Sequence, residues 1–187
     1  KENFAIAKAH DIAVHLDGAR LFNAATHLNV DVKELTQYCD SVMFCLSKGL
    51  CAPVGSMIAG SKEFIERARK NRKLLGGGMR QTGILAAAGL IALKEMTQRL
   101  HIDHEHAQYL GLKLKETGIF NIKLDDIQIN MVFFDAIDPN FDHDAFARYL
   151  LENNVKINSN YNGYRFVTHY WISKEDIDYV IDLIKAY

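Results

Sequence analysis

Two short blocks of this chain carry side chains suited to one kind of chemistry. His15-Leu16-Asp17-Gly18-Ala19-Arg20 supplies a carboxylate, and Ser47-Lys48-Gly49-Leu50 supplies an amine 31 positions later (48 − 17). Each block follows an apolar run that reads as a buried strand, residues 12–16 and 41–46, which predicts both side chains at strand ends, where open α/β sheets bind ligands. Lys48, before Gly49 and Pro53, is then expected to be partly desolvated, as a Schiff-base nucleophile requires. A lysine that merely snorkels to the surface is the plain alternative. Asp17, leaving a buried strand as an ion, needs a cationic or hydrogen-bonding partner, and Arg20 stands nearby in sequence. An aspartate here serves equally as the N-cap of a helix starting at Ala19. Taken together, an acid and an amine at neighbouring strand ends point to pyridoxal phosphate, whose chemistry needs a Schiff-base lysine and an acid partner for the ring nitrogen.

Weaker candidates lie further along. Gly76-Gly77-Gly78-Met79-Arg80 reads as a flexible loop opening a helix, with backbone N–H groups and a guanidinium that suit a phosphate, although glycine runs more often mark turns. Tyr164-Arg165-Phe166-Val167-Thr168-His169 sets an arginine into an alternating strand, where it would clamp a carboxylate or simply guard a sheet edge against aggregation. His101, His104 and His106 resemble a metal set, but on a helix His106 lies nearly opposite His104, so a solvated helix face is the better reading.

These residues need a scaffold to hold them. Through Gly60 strands and helices alternate (11–16 extended, 19–27 and 32–38 helical, 41–46 and 55–59 extended), which implies parallel strands joined by right-handed crossovers. A basic amphipathic helix follows over 62–74, with Ser61 as N-cap and Phe64, Ile65 and Ala68 on its apolar side. A long helix is predicted from Met79 to Glu116, ended by Gly118. Beyond it, strands at 120–124, 129–134, 155–158 and 164–168 and helices at 144–153 and 175–186 make a small α+β domain. The division expected is residues 1–110 and 111–187.

Bulk properties narrow the partners. A net charge of −1 over 187 residues gives no reason to expect nucleic acid or an anionic membrane, and no apolar run is long enough to span a bilayer. Residues 1–8 read as the end of a helix rather than a signal peptide, as if the chain began inside a structure already under way. Cys39, Cys45 and Cys51 are odd in number and lie on or beside apolar segments, which argues for a reducing cytoplasm and thiols that act as packing residues.

With these blocks assembled, the chain resembles the low-specificity L-threonine aldolases, which are fold-type I pyridoxal-phosphate enzymes. The resemblance rests on residues 15–24 (His-Leu-Asp-Gly-Ala-Arg-Leu-Phe-Asn-Ala), Asp40-Ser41-Val42, residues 45–50 (Cys-Leu-Ser-Lys-Gly-Leu), residues 52–56 (Ala-Pro-Val-Gly-Ser), residues 72–81 and residues 83–89, and returns at 165–169 in the small domain. It implies the C-terminal part of a PLP-binding large domain plus a small α+β domain. By the same resemblance Lys48 carries the cofactor, Asp17 pairs with its pyridine nitrogen, and Arg20 lies by its phenolic oxygen and the substrate carboxylate. Arg165 is then the main carboxylate clamp, while Lys73 lines the substrate site and Arg80 reaches a cofactor phosphate, in a neighbouring subunit of a homodimer or homotetramer. The implied reaction is retro-aldol cleavage of threonine or allo-threonine to glycine and acetaldehyde. Other PLP chemistry on the same lysine and aspartate, β-elimination or racemisation, is the first rival, and a non-catalytic fragment the second. The family's N-terminal half, which holds a Gly-Thr phosphate loop and a ring-stacking histidine, is absent from this sequence, so the chain alone is expected to be inactive. Cys51 stands where similar sequences usually have a small residue such as glycine.

Overall fold

The computed structural model describes residues 1–158 and 163–187. Its elements run α1 (Glu2–Ala9), β1 (His15–Asp17), α2 (Leu21–Leu28), α3 (Val32–Thr36), β2 (Ser41–Cys45), β3 (Ser56–Gly60), α4 (Lys62–Leu74), α5 (Gly83–Lys94), α6 (Leu100–Glu116), β4 (Phe120–Asn121), β5 (Met131–Ala136), α7 (His143–Glu152), β6 (Tyr164–Val167) and α8 (Lys174–Ala186). Two compact units result, Lys1–Leu100 and His101–Tyr187, so the division falls ten residues before the 110 read from sequence (110 − 100). The reason lies in α6, whose Ala107, Leu110 and Leu114 are buried in the second unit's core.

The first unit holds a three-stranded sheet in the order β1-β2-β3. β1 and β2 are parallel, as the alternation predicts, and α2 and α3 make their crossover. β3, however, is antiparallel to β2. Only ten residues separate Cys45 from Ser56 (46 to 55), fewer than a parallel crossover needs. A second correction concerns β1, which is shorter than residues 11–16 suggest and is not buried: His15 and Asp17 are exposed and Leu16 is half-buried, and Ile12, ahead of the strand, is 58% exposed. The apolar core of this unit comprises Leu46, Leu50, Ala52, Ala92 and Leu100, with Phe22 and Phe44 packed edge-to-face beside it.

The continuous helix expected from Met79 to Glu116 is broken. Residues 79–82 are not helical, α5 ends at Lys94, and a 3₁₀ turn over Met96–Arg99 precedes α6. At the break the Thr97 hydroxyl donates back to Leu93 O (3.1 Å), a local bond that bends helices. Ser61 caps α4 as predicted, accepting from Phe64 N at 3.2 Å, and Gly118 adopts φ +72° just after α6.

In the second unit β4, β5 and β6 form an antiparallel sheet in that order. Residues 155–158, expected as a strand, belong to neither sheet. Asn154 instead turns left-handed (φ +63°) and Val155 N returns to Leu150 O (2.8 Å), closing α7. The core is unusually aromatic: Phe120, Phe134, Phe146 and Tyr164 are buried against one another, with ring centroids 4.9 to 5.8 Å apart. Burial pushes the Tyr164 hydroxyl up to about 12, with Tyr187 and Asp144 adding to the shift, so it remains protonated where it meets His143 Nδ1 (2.7 Å).

Two consequences can be measured. A Cβ at Gly18 would stand 2.8 Å from Met43 O, so Gly18→Ala should cost roughly 1 to 3 kcal/mol in chemical denaturation, by forcing β1 off β2. At α8, the Ser173 N–H and hydroxyl bonds of a capping box hold the Asp176 carboxyl below its ordinary 3.8. A lowered carboxyl contributes stability that is present above that ordinary value and is lost as the pH falls through the folded one. Asp176→Asn should therefore lower stability at neutral pH and flatten the acid limb below about pH 4 in pH-dependent melts.

Candidate functional site

Asp17 and Lys48 leave paired strands at the same end. Asp17 stands opposite Met43 in the parallel ladder, and Gly18 N–H donates to Met43 O at 2.9 Å, carrying the pairing one step past the carboxylate. Lys48 follows five residues after Met43 (48 − 43), so both blocks emerge at the carboxyl edge of the sheet. Asp17 is exposed, and its Oδ1 accepts from Ala19 N at 3.1 Å, a turn bond rather than a helix cap. The N-cap position of α2 falls to Arg20, whose side chain makes no capping bond. Among the described residues Asp17 Oδ2 makes no hydrogen bond and is available to a ligand.

Lys48 sits at the crest of a loop that is stitched to the fold on both sides. Leu46 N donates to Gly55 O (3.0 Å), Ala52 N to Leu46 O (3.0 Å) and Cys51 N to Lys48 O (2.8 Å). Leu46, Leu50 and Ala52 are buried as anchors, and Gly49 passes so close to Asn23 and Leu100 that a Cβ there would meet both at 3.2 Å. The lysine side chain itself is exposed, so the desolvation expected from sequence is not supplied by the residues described. The loop fixes where the amine starts and leaves it uncommitted: among the described residues the Lys48 side chain makes no ion pair or hydrogen bond.

The other cations are dispersed. Arg20 is half-buried at the start of α2. Lys73 lies in the last turn of α4, and Arg80 in the exposed link to α5. Gly76, Gly77 and Gly78 do not open a helix: Gly76 (φ +82°) and Gly77, whose N–H returns to Arg72 O at 2.8 Å, close α4, and α5 begins only at Gly83. The run therefore closes one helix rather than opening the next, contrary to the sequence expectation. Arg165 belongs to the second unit, on the exposed face of β6, and lines an open cavity of about 460 Å³ that also involves Thr168, Ile172 and Asp176.

Two features escaped the sequence reading. Cys51 adopts φ +57°, a left-handed conformation that only glycine takes without strain, next to the Lys48 carbonyl it binds. The glycine-for-cysteine contrast already noted at this position was the available signal. In the second unit Asn130, Thr168 and Asp103 are buried together: Asn130 Nδ2 donates to Thr168 O (2.7 Å), Thr168 N to Asn130 O (3.0 Å) and Thr168 Oγ1 to Asp103 O (2.6 Å). This network pins the end of β6, three residues past Arg165. It also corrects the reading of 101–106 as a solvated face, since Asp103 is fully buried and His106 Nδ1 lies 2.9 Å from Ile172 O.

Residues 1–137 match the beta-eliminating lyase family. The chain belongs to that family. It is 43% identical over 177 residues to the low specificity L-threonine aldolase of Escherichia coli (strain K12), covering 95% of this chain and 51% of that one. It is also 43% identical over 178 residues to low-specificity L-threonine aldolase 1 of Arabidopsis thaliana, covering 94% and 50%. The solved threonine aldolase of Leishmania major superposes with a TM-score of 0.71 at 18% identity, over 98% of this chain and 54% of that one, a likeness that shows the fold-type I architecture. This beta-eliminating lyase chain thus spans about half the length of the curated relatives it matches.

The strain at Cys51 is testable. Cys51→Gly should keep or raise the thermal stability of the Lys48 loop, by about 1 to 2 kcal/mol, whereas Cys51→Val should lower it by at least as much.

Proposed function

We propose that this chain forms part of a pyridoxal-phosphate enzyme that cleaves threonine or allo-threonine to glycine and acetaldehyde. The observation that carries the reading is the shared carboxyl edge of β1 and β2, from which Asp17 and Lys48 emerge with an uncommitted oxygen and an uncommitted amine. That donor set suits the cofactor: an amine for its aldehyde and a carboxylate for its ring nitrogen. When bound, pyridoxal phosphate supplies the electron sink for breaking the Cα–Cβ bond.

The residues of this chain then divide the remaining work. Lys48 Nζ would hold the cofactor through its aldehyde carbon. Asp17 Oδ2 would keep the proton on the ring nitrogen, while the Ala19 N–H keeps Oδ1 in place. Arg20 serves the phenolic oxygen and the substrate carboxylate, and Arg165 is the principal clamp on that carboxylate through charge-assisted paired hydrogen bonds. Lys73 lines the substrate site and Arg80 binds phosphate, in a neighbouring subunit of a homodimer or homotetramer. A segment equivalent to the rest of the relatives' length completes the site and contributes the group that removes the β-hydroxyl proton. The exposed Ile12, ahead of β1, fits such a completion, and the odd number of cysteines suits a reducing cytoplasm.

A second reading, β-elimination, is favoured by the family's own description. Turnover of threonine set against serine, cysteine and D-alanine separates the two: acetaldehyde and glycine from threonine support the aldolase, and pyruvate from serine or cysteine supports the alternative.

In the holoenzyme, borohydride should fix the cofactor to Lys48, and Lys48→Ala should abolish that adduct, whereas trapping at Lys62, Lys70 or Lys73 would refute the assignment. Asp17→Asn should leave cofactor bound yet lower kcat by about 100-fold or more, since the electron sink is needed most in the transition state. A near-normal kcat would remove Asp17 from this role.

A further inference from the structure

Asn23 is a costly residue where it stands. It lies in the first turn of α2, whose buried residues are Leu21, Asn23 and Ala25, and only 3% of it is exposed. A carboxamide taken out of water must be hydrogen-bonded to offset its desolvation, and an apolar side chain of similar size would fill the same place without that demand. What the side chain reaches gives a reason for it. α2 begins four residues after Asp17 (21 − 17), and the Asn23 side chain extends to the turn that follows β2. There it borders Gly49: a Cβ on that glycine would meet Asn23 Oδ1 at 3.2 Å and Nδ2 at 3.6 Å. Both ends of the carboxamide therefore face the backbone next to Lys48.

That backbone is the turn Lys48-Gly49-Leu50-Cys51, closed by Cys51 N donating to Lys48 O at 2.8 Å. Gly49 and Leu50 are buried within it, whereas Lys48 is exposed. The turn thus has a packed inner side and a free outer one, and at Gly49 the inner side rests on Asn23 and Leu100. Leu100 offers bulk alone, while a planar carboxamide carried on a helix offers a polar face of fixed direction.

We propose that Asn23 is a positioning residue for Lys48. Carried on the helix that follows Asp17, its carboxamide holds the Gly49 turn and so sets the spacing between the amine and the carboxylate. This inference rests on the assignment of Lys48 as the lysine that carries the cofactor.

The test uses the complete enzyme, stripped of cofactor and then reloaded. One readout is the rate at which added pyridoxal phosphate attaches, followed by visible absorbance and mapped after borohydride capture; the other is kcat per bound cofactor. Asn23→Leu keeps the bulk and removes the carboxamide. It should slow attachment and lower kcat about tenfold each, as expected of a displaced reactive group, with the thermal midpoint little changed. A residue that only stabilised the fold would change the midpoint and the folded fraction, but neither rate per folded molecule. Gly49→Ala approaches the same contact from the other side and should also slow attachment about tenfold, yet no more than about twofold further in the Asn23→Ala background, where its Cβ finds room. Should Asn23→Leu not fold, this cycle decides alone. Normal attachment in Asn23→Leu, or effects of Asn23→Ala and Gly49→Ala that simply multiply, would overturn this inference and leave Lys48 in its role. Capture at a different lysine in the unmodified enzyme would overturn both.

Discussion

The parallel pairing of β1 with β2 is the constraint on which the candidate site depends. It sets Asp17 opposite Met43, and the further bond from Gly18 N to Met43 O holds the chain against β2 where the carboxylate leaves it. Only a glycine tolerates that approach, since a Cβ would stand 2.8 Å from the carbonyl. A one-residue slip in register would turn Asp17 to the other face of the sheet and separate it from the edge that Lys48 occupies. The hydrophobic anchors Leu46, Leu50 and Ala52 do the complementary task for the lysine: they fasten the loop to the core while the Lys48 side chain stays exposed. Rigid backbone and free functional group are thus separated residue by residue.

Much of this was legible in the sequence because it follows from local rules. Ser61 before a basic amphipathic run, Gly118 after one, and tyrosine and phenylalanine alternating about Arg165 each state their structure within a few residues. What stayed illegible depends on neighbours. The antiparallel course of β3 depends on how the strands pair, which no single segment encodes. The break between α5 and α6 lies in an uninterrupted helical pattern without glycine or proline at the break, and the Thr97 hydroxyl bond to Leu93 O becomes visible only in three dimensions. The same holds for Asp103: its helix face looks solvated in sequence, yet Thr168 and Asn130 arrive from 65 and 27 residues away (168 − 103, 130 − 103) to bury it.

Each unit carries its own candidate residues: Asp17 and Lys48 stand at a sheet edge in the first, and Arg165 lies on the small sheet of the second, which has an aromatic core and a buried polar network. Membership in the beta-eliminating lyase family and 43% identity to threonine aldolases along 95% of the chain give this division a chemical context, while the alignment spans 51% of that relative. Among the described residues the Lys48 side chain is exposed to water.

The central claim is that Asp17 and Lys48 serve one cofactor from one sheet edge, and a crystal structure of the cofactor-loaded enzyme tests it most directly. The account predicts continuous density from Lys48 Nζ to the cofactor's aldehyde carbon, with an Asp17 carboxylate oxygen within hydrogen-bond distance of the ring nitrogen. A cofactor bound through another lysine, or a ring nitrogen facing a group other than Asp17, would contradict it.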